Sequence, residues 1–364
     1  MGNVTMFAGV DYHQDSLRVC VLSQDKRVVV DRKCVNDVGV VVKLFEELGA
    51  REQGVVSEVA LEACGGSAAF GEALASSGRW RVSLAHAGYV SKLRGSPDKT
   101  DKSDARLLAD LTRVGYLPRV WLAPVGIRDL RMLVGRRRDL VASRRAEKLR
   151  LRGLLREKRA VAGLGTGNAW TVSWRQWARC AGELGEQGRW LAGEILDEID
   201  HLDERVEAVE KRLREAAGGN QTVEKLMELE GVGEVTAWEL AAAVGEFGRF
   251  RTGKQLARFC GLSPKNESSG KRQNAGELID LCDKRLRATL IQAGQRLIRS
   301  KGRWGELGRS LLDKGKHRNV AVAAVANRWV RWMHWEMTRE DKSRGEKANA
   351  NSSEKGKTGV GGLN

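Results

Sequence analysis

The chain has six cysteines (Cys20, Cys34, Cys64, Cys180, Cys260, Cys282) and no Cys-x-x-Cys pair among them. None of its five histidines stands at metal-ligand spacing from another. These absences argue against a disulfide framework or a structural zinc site and for reduced thiols in the cytoplasm. No apolar run approaches the roughly 20 residues that cross a bilayer. The N-terminus shows no charged segment followed by an apolar stretch, so neither a membrane span nor a secretory leader is expected. Acid is the minority charge: 47 Asp and Glu stand against 63 Lys and Arg, a formal net charge of +16. Such a surplus points to a polyanionic partner, without separating DNA from RNA or an acidic membrane. With 364 residues the chain is long enough for two or three domains.

Against this basic background the placement of a few acids is informative. Asp98-Lys-Thr-Asp101-Lys-Ser-Asp104-Ala-Arg106 puts Asp101 and Asp104 three residues apart where a helix begins. Thr100 and Ser103 are N-cap types, and Leu107, Leu108 and Leu111 supply an apolar face beyond them. Residues at that spacing are helix neighbours, so the two carboxylates point the same way and repel unless something compensates them. A divalent cation such as Mg²⁺ is the usual compensator. An isolated Asp-x-x-Asp is more often a solvated turn, but two acids upstream shift that balance.

Residues 6–11 read as a buried strand ending in Asp11, and residues 16–22 and 27–30 continue it as a meander. A helix with Val41, Val42, Leu44, Phe45 and Leu48 on its apolar face follows. Residues 55–63 form a fourth strand with Glu62 at its end. Gly65-Gly66-Ser67 opens a helix through Leu74, residues 80–85 form a fifth strand, and the helix carrying Asp101 and Asp104 comes next. The pattern predicts a mixed α/β sheet covered by helices, with Asp11 and Glu62 on neighbouring strands. Four acids so placed fit a two-metal phosphoryl-transfer site. Glu58 lies mid-strand and Asp15 in a turn, and both are left outside it.

The first domain is expected to span residues 1–124, ending between two prolines, Pro118 and Pro124. Residues 125–220 form a basic helical region. Arg136, Arg137, Arg138, Arg144, Arg145 and Lys148 are its nucleic-acid-binding candidates, beside an apolar stripe of Leu130, Leu133, Leu140, Leu151 and Leu154. Trp170, Trp174 and Trp177 are core anchors or base-stacking platforms, and their helical spacing favours core. Ile195, Ile199, Leu202, Val206, Val209 and Leu213 recur as a heptad seam. The two long helices pair with each other or across a dimer. In residues 221–340, Gly231-Val232-Gly233 sits between two helices and reads as a helix-hairpin-helix-like element whose amides can hold a phosphate. Residues 341–364, poor in apolar side chains, read as a disordered basic tail that adds nonspecific affinity.

Several blocks resemble the DEDD insertion-sequence transposases, the bridge-RNA-guided serine recombinases related to pilin-gene DNA invertases. Gly9-Val10-Asp11, Leu61-Glu62-Ala63-Cys64-Gly65 and the stretch from Lys99 to Ala105 match their first three blocks. Gly245-Glu-Phe-Gly-Arg249-Phe250, Gln255-Leu256-Ala257 and Cys260-Gly-Leu-Ser-Pro264 match their C-terminal domain. The resemblance implies an RNase H-like N-terminal fold similar to Holliday-junction resolvases, a helical coiled-coil insertion used in assembly and RNA contact, and a mainly α C-terminal domain. It implies Mg²⁺ bound by Asp11, Glu62, Asp101 and Asp104. It also implies a covalent phosphoserine link to DNA at Ser269, which directly precedes Gly270 in Asn266-Glu-Ser268-Ser269-Gly270-Lys271-Arg272. By chemistry alone a Ser-Ser-Gly segment is usually just a loop. A serine that attacks phosphate needs activation and charge stabilisation, and Lys271 and Arg272 are placed to bind the phosphate. Donor and target DNA, a structured guide RNA and a homo-oligomer, dimer to tetramer, are the implied partners.

The chain departs from the family at Ile279-Asp280-Leu281-Cys282, where the relatives carry Ser-Lys-x-Gly; Lys284 or Arg285 are the nearest basic replacements. Three alternatives stay open: a DNA invertase of the same family, a metal-dependent junction nuclease without serine chemistry, and a non-catalytic nucleic-acid-binding protein.

Overall fold

The computed structural model describes residues 4–94, 100–160, 169–266 and 275–357. It divides into two units, residues 1–124 and 125–364. In the first unit the elements follow as β1 (Val4–Tyr12), β2 (Ser16–Ser23), β3 (Val28–Val35), α1 (Val38–Glu52), β4 (Gly54–Glu62), α2 (Ser67–Ser76), β5 (Arg81–Ala85), α3 (Ala87–Leu93), α4 (Asp101–Arg113) and β6 (Arg119–Val120). The sheet order is β3-β2-β1-β4-β5-β6. The first three strands run antiparallel, β4 and β5 join β1 in parallel, and β6 closes the edge antiparallel. This is the mixed α/β sheet that the alternating pattern predicts.

Alternation along β1 decides where the acids face. Met6, Ala8 and Val10 pack with Val41, Phe45 and Leu48 of α1 and with Phe70 and Leu74 of α2. Gly9 and Asp11 therefore belong to the opposite face, where α4 lies. A Cβ on Gly9 would stand 2.0 Å from the Ala105 carbonyl oxygen and 2.5 Å from the Ala109 amide nitrogen. Only a glycine admits α4 so near the strand. Cys20 and Leu22 pack on Ala105 and Ala109, while Ala60 and Ala85 meet Leu108 and Leu111. Small residues on both sides of the contact bring the first turn of α4 to the end of β1.

The start of α4 is fixed by a capping box. The Thr100 hydroxyl accepts from the Ser103 amide at 3.1 Å, and the Ser103 hydroxyl accepts from the Thr100 amide at 3.1 Å.

The second unit is mostly helical: α5 (Val125–Glu157), α6 (Val172–Cys180), α7 (Gly185–Ala217), α8 (Gln221–Met227), α9 (Glu234–Val244), α10 (Gly253–Phe259), β7 (Pro264–Asn266), β8 (Ala275–Leu278), α11 (Lys284–Leu297), α12 (Arg303–Asp313) and α13 (Arg318–Lys357). The two long helices pair with each other, running antiparallel. Leu151 and Leu155 meet Ile195, Leu196 and Ile199, Leu140 meets Leu202 and Val206, and Leu130 and Val134 meet Leu213. Trp174 is buried in this seam, with Trp170 and Trp177 packed at its edge. The later helices share one core, with Trp329 fully enclosed. Among the described residues no helix is long and apolar enough to cross a membrane.

The structure also contains elements the sequence pattern does not announce: α3, the short edge strand β6, and the β7–β8 pair. The helix α13 runs on to Lys357, well into the segment read as a disordered tail. No proline interrupts that stretch.

Candidate metal centre

Three side chains from separate places in the first unit converge at the end of β1. His13 Nε2 lies 3.1 Å from Asp11 Oδ2 and 3.4 Å from Asp101 Oδ1. One ligand atom from each of Asp11, His13 and Asp101 falls within a sphere where no two are more than 4.8 Å apart. Asp11 is largely enclosed, whereas His13 and Asp101 open to solvent. Burial pushes the Asp11 carboxyl above its usual value; His13 opposes the shift, and the negative charges of Asp101 and Asp104 reinforce it.

Asp104, one turn into α4, is only 3% exposed. Acids in the first turn of a helix ordinarily complement its positive N-terminal end from the solvent side; this one is turned into the protein. Arg94 Nη2 approaches its Oδ1 at 2.6 Å. Neither that oxygen nor Arg94 Nε has a hydrogen bond among the described residues.

Glu62 is not part of the Asp11–His13–Asp101 group. It follows Leu61, whose register partner on β1 is Val10, so β1 and β4 end side by side. Alternation puts Glu62 on the Ala60 face, the face that α4 covers. Glu62 thus stands one strand over from Asp11 on the same side of the sheet.

Glu58, on the same strand and face, has a different environment. It accepts hydrogen bonds from Arg81 at 2.6 Å, from Ser83 at 2.6 Å and from Arg119 at 3.0 Å. Its carboxylate ties β4 to β5 and β6 and is fully engaged. Asp15 is exposed in the β1–β2 turn.

Three carboxylates crowd one end of the sheet. Arg94 reaches Asp104 and His13 lies between Asp11 and Asp101, while Arg18, opposite Asp11 on β2, is held by Asp31. That oxygen-rich donor set fits a divalent cation. Asp11, His13 and Asp101 bring ligand atoms close enough together to hold it, with Asp104 and Glu62 on the same side of the sheet.

Two residues of this centre escape the sequence reading. His13 carries a signal, since residues two apart at a strand end share a face, but a search for paired histidines passes over Asp-x-His. Arg94 carries none, because its approach to Asp104 exists only once α3 and α4 are folded.

In the second unit the basic candidates divide. Arg137 donates to Glu210 at 2.7 Å, Arg138 to Glu239 at 2.9 Å and to Asp283 at 3.0 Å, and Arg144 pairs with Asp203. These three guanidinium groups fasten helices together. Arg136 and Arg145 face solvent, and Lys148 lies over the Trp170 ring at 5.0 Å. Gly231 adopts a positive φ of 84°, and a Cβ there would meet Leu297 Cδ2 at 2.7 Å, so its glycine has a packing reason. Gly233 caps the N-terminus of α9. At the departure from the family pattern, Asp280 pairs with Lys265 at 2.9 Å and Arg285 with Asp139 at 3.1 Å. Ser269, Lys271 and Arg272 lie outside the described residues.

Comparison with known proteins bears on both units. Residues 8–159 match the family model of the DEDD-type IS110 transposases, described as "Transposase". Residues 223–308 match the model described as "Transposase IS116/IS110/IS902 family". A "Probable family 20 transposase" of Pseudomonas aeruginosa is 27% identical over 303 residues, covering 78% of this chain and 84% of the relative. The "Transposase for insertion sequence element IS1111A" of Coxiella burnetii is 25% identical over 331 residues, covering 88% and 86%. The acid-bearing blocks around Asp11, Glu62, Asp101 and Asp104 all lie inside the first matched segment. With both units matched in order, the chain belongs to the DEDD insertion-sequence transposase family, enzymes that act on DNA.

Proposed function

We propose that this transposase cuts and rejoins DNA by serine chemistry at an acidic metal centre, and that an RNA encoded with its element guides it. The convergence of Asp11, Asp101 and Asp104 at one end of the sheet carries the reading. An acid at the end of the first strand, another on its parallel neighbour and two on a packed helix is an RNase H-like arrangement, and residues 1–124 are assigned that role. Residues 125–220 would form the coiled-coil insertion, and residues 221–340 the domain that supplies Ser269.

In this scheme Ser269 Oγ attacks a DNA phosphorus. A phosphoserine diester forms as the bond to one deoxyribose oxygen breaks. A hydroxyl from a second DNA end then attacks the diester, rejoining the strand and freeing the serine. Asp11, Glu62, Asp101 and Asp104 would hold Mg²⁺, which supplies positive charge where negative charge builds on the phosphate. Lys271 and Arg272 would hold the phosphate in place, and the Gly231–Gly233 turn at the start of α9 would grip the backbone through its amides. A homo-oligomer, dimer to tetramer, is the working form that the family resemblance supports. The net charge of +16 suits a protein that holds both DNA and RNA.

The test is covalent trapping. Full-length protein, RNA transcribed from the element's flanks, cognate DNA and Mg²⁺ are incubated and resolved on a denaturing gel. A protein–DNA adduct lost in both Ser269→Ala and Asp101→Asn is the expected result. Strand cleavage without an adduct that survives Ser269→Ala would instead assign a hydrolytic junction nuclease.

A further inference from the structure

We propose that His13 is itself a ligand of the bound metal, and that the centre therefore prefers Mn²⁺ to Mg²⁺. This rests on reading the acidic cluster as a metal centre and adds a nitrogen to an oxygen set.

The backbone holds His13 in place. Its amide donates to the Ser16 carbonyl at 3.0 Å, closing the β1–β2 turn. Asn36 clamps the same turn from β3's end, donating to the carbonyls of His13 at 2.9 Å and Gln14 at 3.1 Å. The imidazole is thereby presented from a fixed turn rather than from a mobile loop. Its Nε2 stands between carboxylates of two other positions, 3.1 Å from Asp11 and 3.4 Å from Asp101. Two ligands at about 2.1 Å from one ion and at right angles to each other are separated by about 3.0 Å. The 3.1 Å contact with Asp11 is also a hydrogen bond, and both spacings are compatible with adjacent ligands around one ion. A neutral imidazole has at most one hydrogen on Nε2, and that hydrogen cannot serve both carboxylates at full strength; a metal in the gap engages all three groups together.

The nitrogen has a consequence for selectivity. Mg²⁺ takes oxygen ligands almost exclusively, whereas imidazole favours transition ions. A set of carboxylates with one imidazole suits Mn²⁺, which accepts both donor types. Mn²⁺ is also paramagnetic, so a bound nitrogen can be seen directly.

The experiment uses full-length protein loaded with Mn²⁺ alone and reads electron spin-echo modulation from coordinated nitrogen. Wild type is expected to show it. His13→Gln is expected to bind Mn²⁺ without it, and its preference for Mn²⁺ over Mg²⁺ in competition should fall at least about tenfold. Bound Mn²⁺ with no nitrogen modulation in wild type, or an unchanged preference in His13→Gln, would overturn the role of His13 while leaving the acidic centre intact. Mn²⁺ binding unaffected by both Asp11→Asn and Asp101→Asn would instead refute the centre itself. His13 is half-exposed, so a melting curve on His13→Gln is expected to match wild type in EDTA and to rule out misfolding as the cause.

Discussion

A single acid and a cluster of acids lie on the same face of the same sheet and live by opposite rules. Halfway along β4, Glu58 is met by Arg81, Ser83 and Arg119. At the end of the strands, Asp11, Asp101 and Asp104 crowd together; Arg94 reaches Asp104, His13 lies between Asp11 and Asp101, and Arg18, opposite Asp11, is taken up by Asp31. Burial alone would raise Glu58, yet its hydrogen bonds hold it below the ordinary glutamate value. Burial raises Asp11 too, and there the neighbouring acids push the same way. A carboxylate surrounded by its own cations is a strut. A set of carboxylates that outnumbers the cations engaged with it is a candidate place for an ion from outside.

Breaking the second group should have the largest effect. Asp101→Asn is expected to lower metal-dependent strand transfer on a supercoiled donor at least about 100-fold, while melting as wild type does in EDTA, since the side chain is 53% exposed. Next comes the approach that builds the group. Gly9→Ala forces α4 away from β1, and about 3 kcal/mol of stability should be lost in a denaturant titration, together with the metal response. Arg94→Ala removes the cation beside buried Asp104. In EDTA it should cost about 2 kcal/mol, and adding Mg²⁺ should recover part of that loss.

The strut gives the smallest effect and the sharpest contrast. Glu58→Gln should cost about 1 kcal/mol at neutral pH, discounted because Arg81 and Arg119 are partly exposed. Glu58 is a stronger acid folded than unfolded, so its contribution exists above the ordinary glutamate range and is lost as pH falls through the folded value. The gap between Glu58→Gln and wild type should therefore close as pH drops below 4.5. Metal binding should not change at all.

Much of the first unit can be read from the chain because its signals are local. Strand-like apolar runs mark β1, β2, β4 and β5, apolar faces mark α1 and α4, and Thr100 and Ser103 announce the start of α4 through their own side chains. The β1–β4 neighbourhood follows from the alternation of strand and helix. The rest depends on contacts between distant segments. Strand β6 has two residues, too few for a period. Helix α3 has seven and buries only Val90. The basic residues of α5 look equivalent in sequence, and only folding separates Arg137, Arg138 and Arg144, which meet acids elsewhere in the unit, from Arg136 and Arg145, which face solvent. Nor does Gly9 announce itself as the residue that sets the distance to α4; that role exists only where the Ala105 carbonyl passes.

The central claim is that the acids at the strand ends await a cation and Glu58 does not. The most direct test is the thermal shift on adding Mg²⁺ to metal-free wild type, Asp101→Asn and Glu58→Gln. Binding to the folded state alone raises the melting temperature. A rise is expected for wild type, the same rise from a lower starting point for Glu58→Gln, and none for Asp101→Asn. An undiminished rise in Asp101→Asn, or its loss in Glu58→Gln, would contradict the central claim.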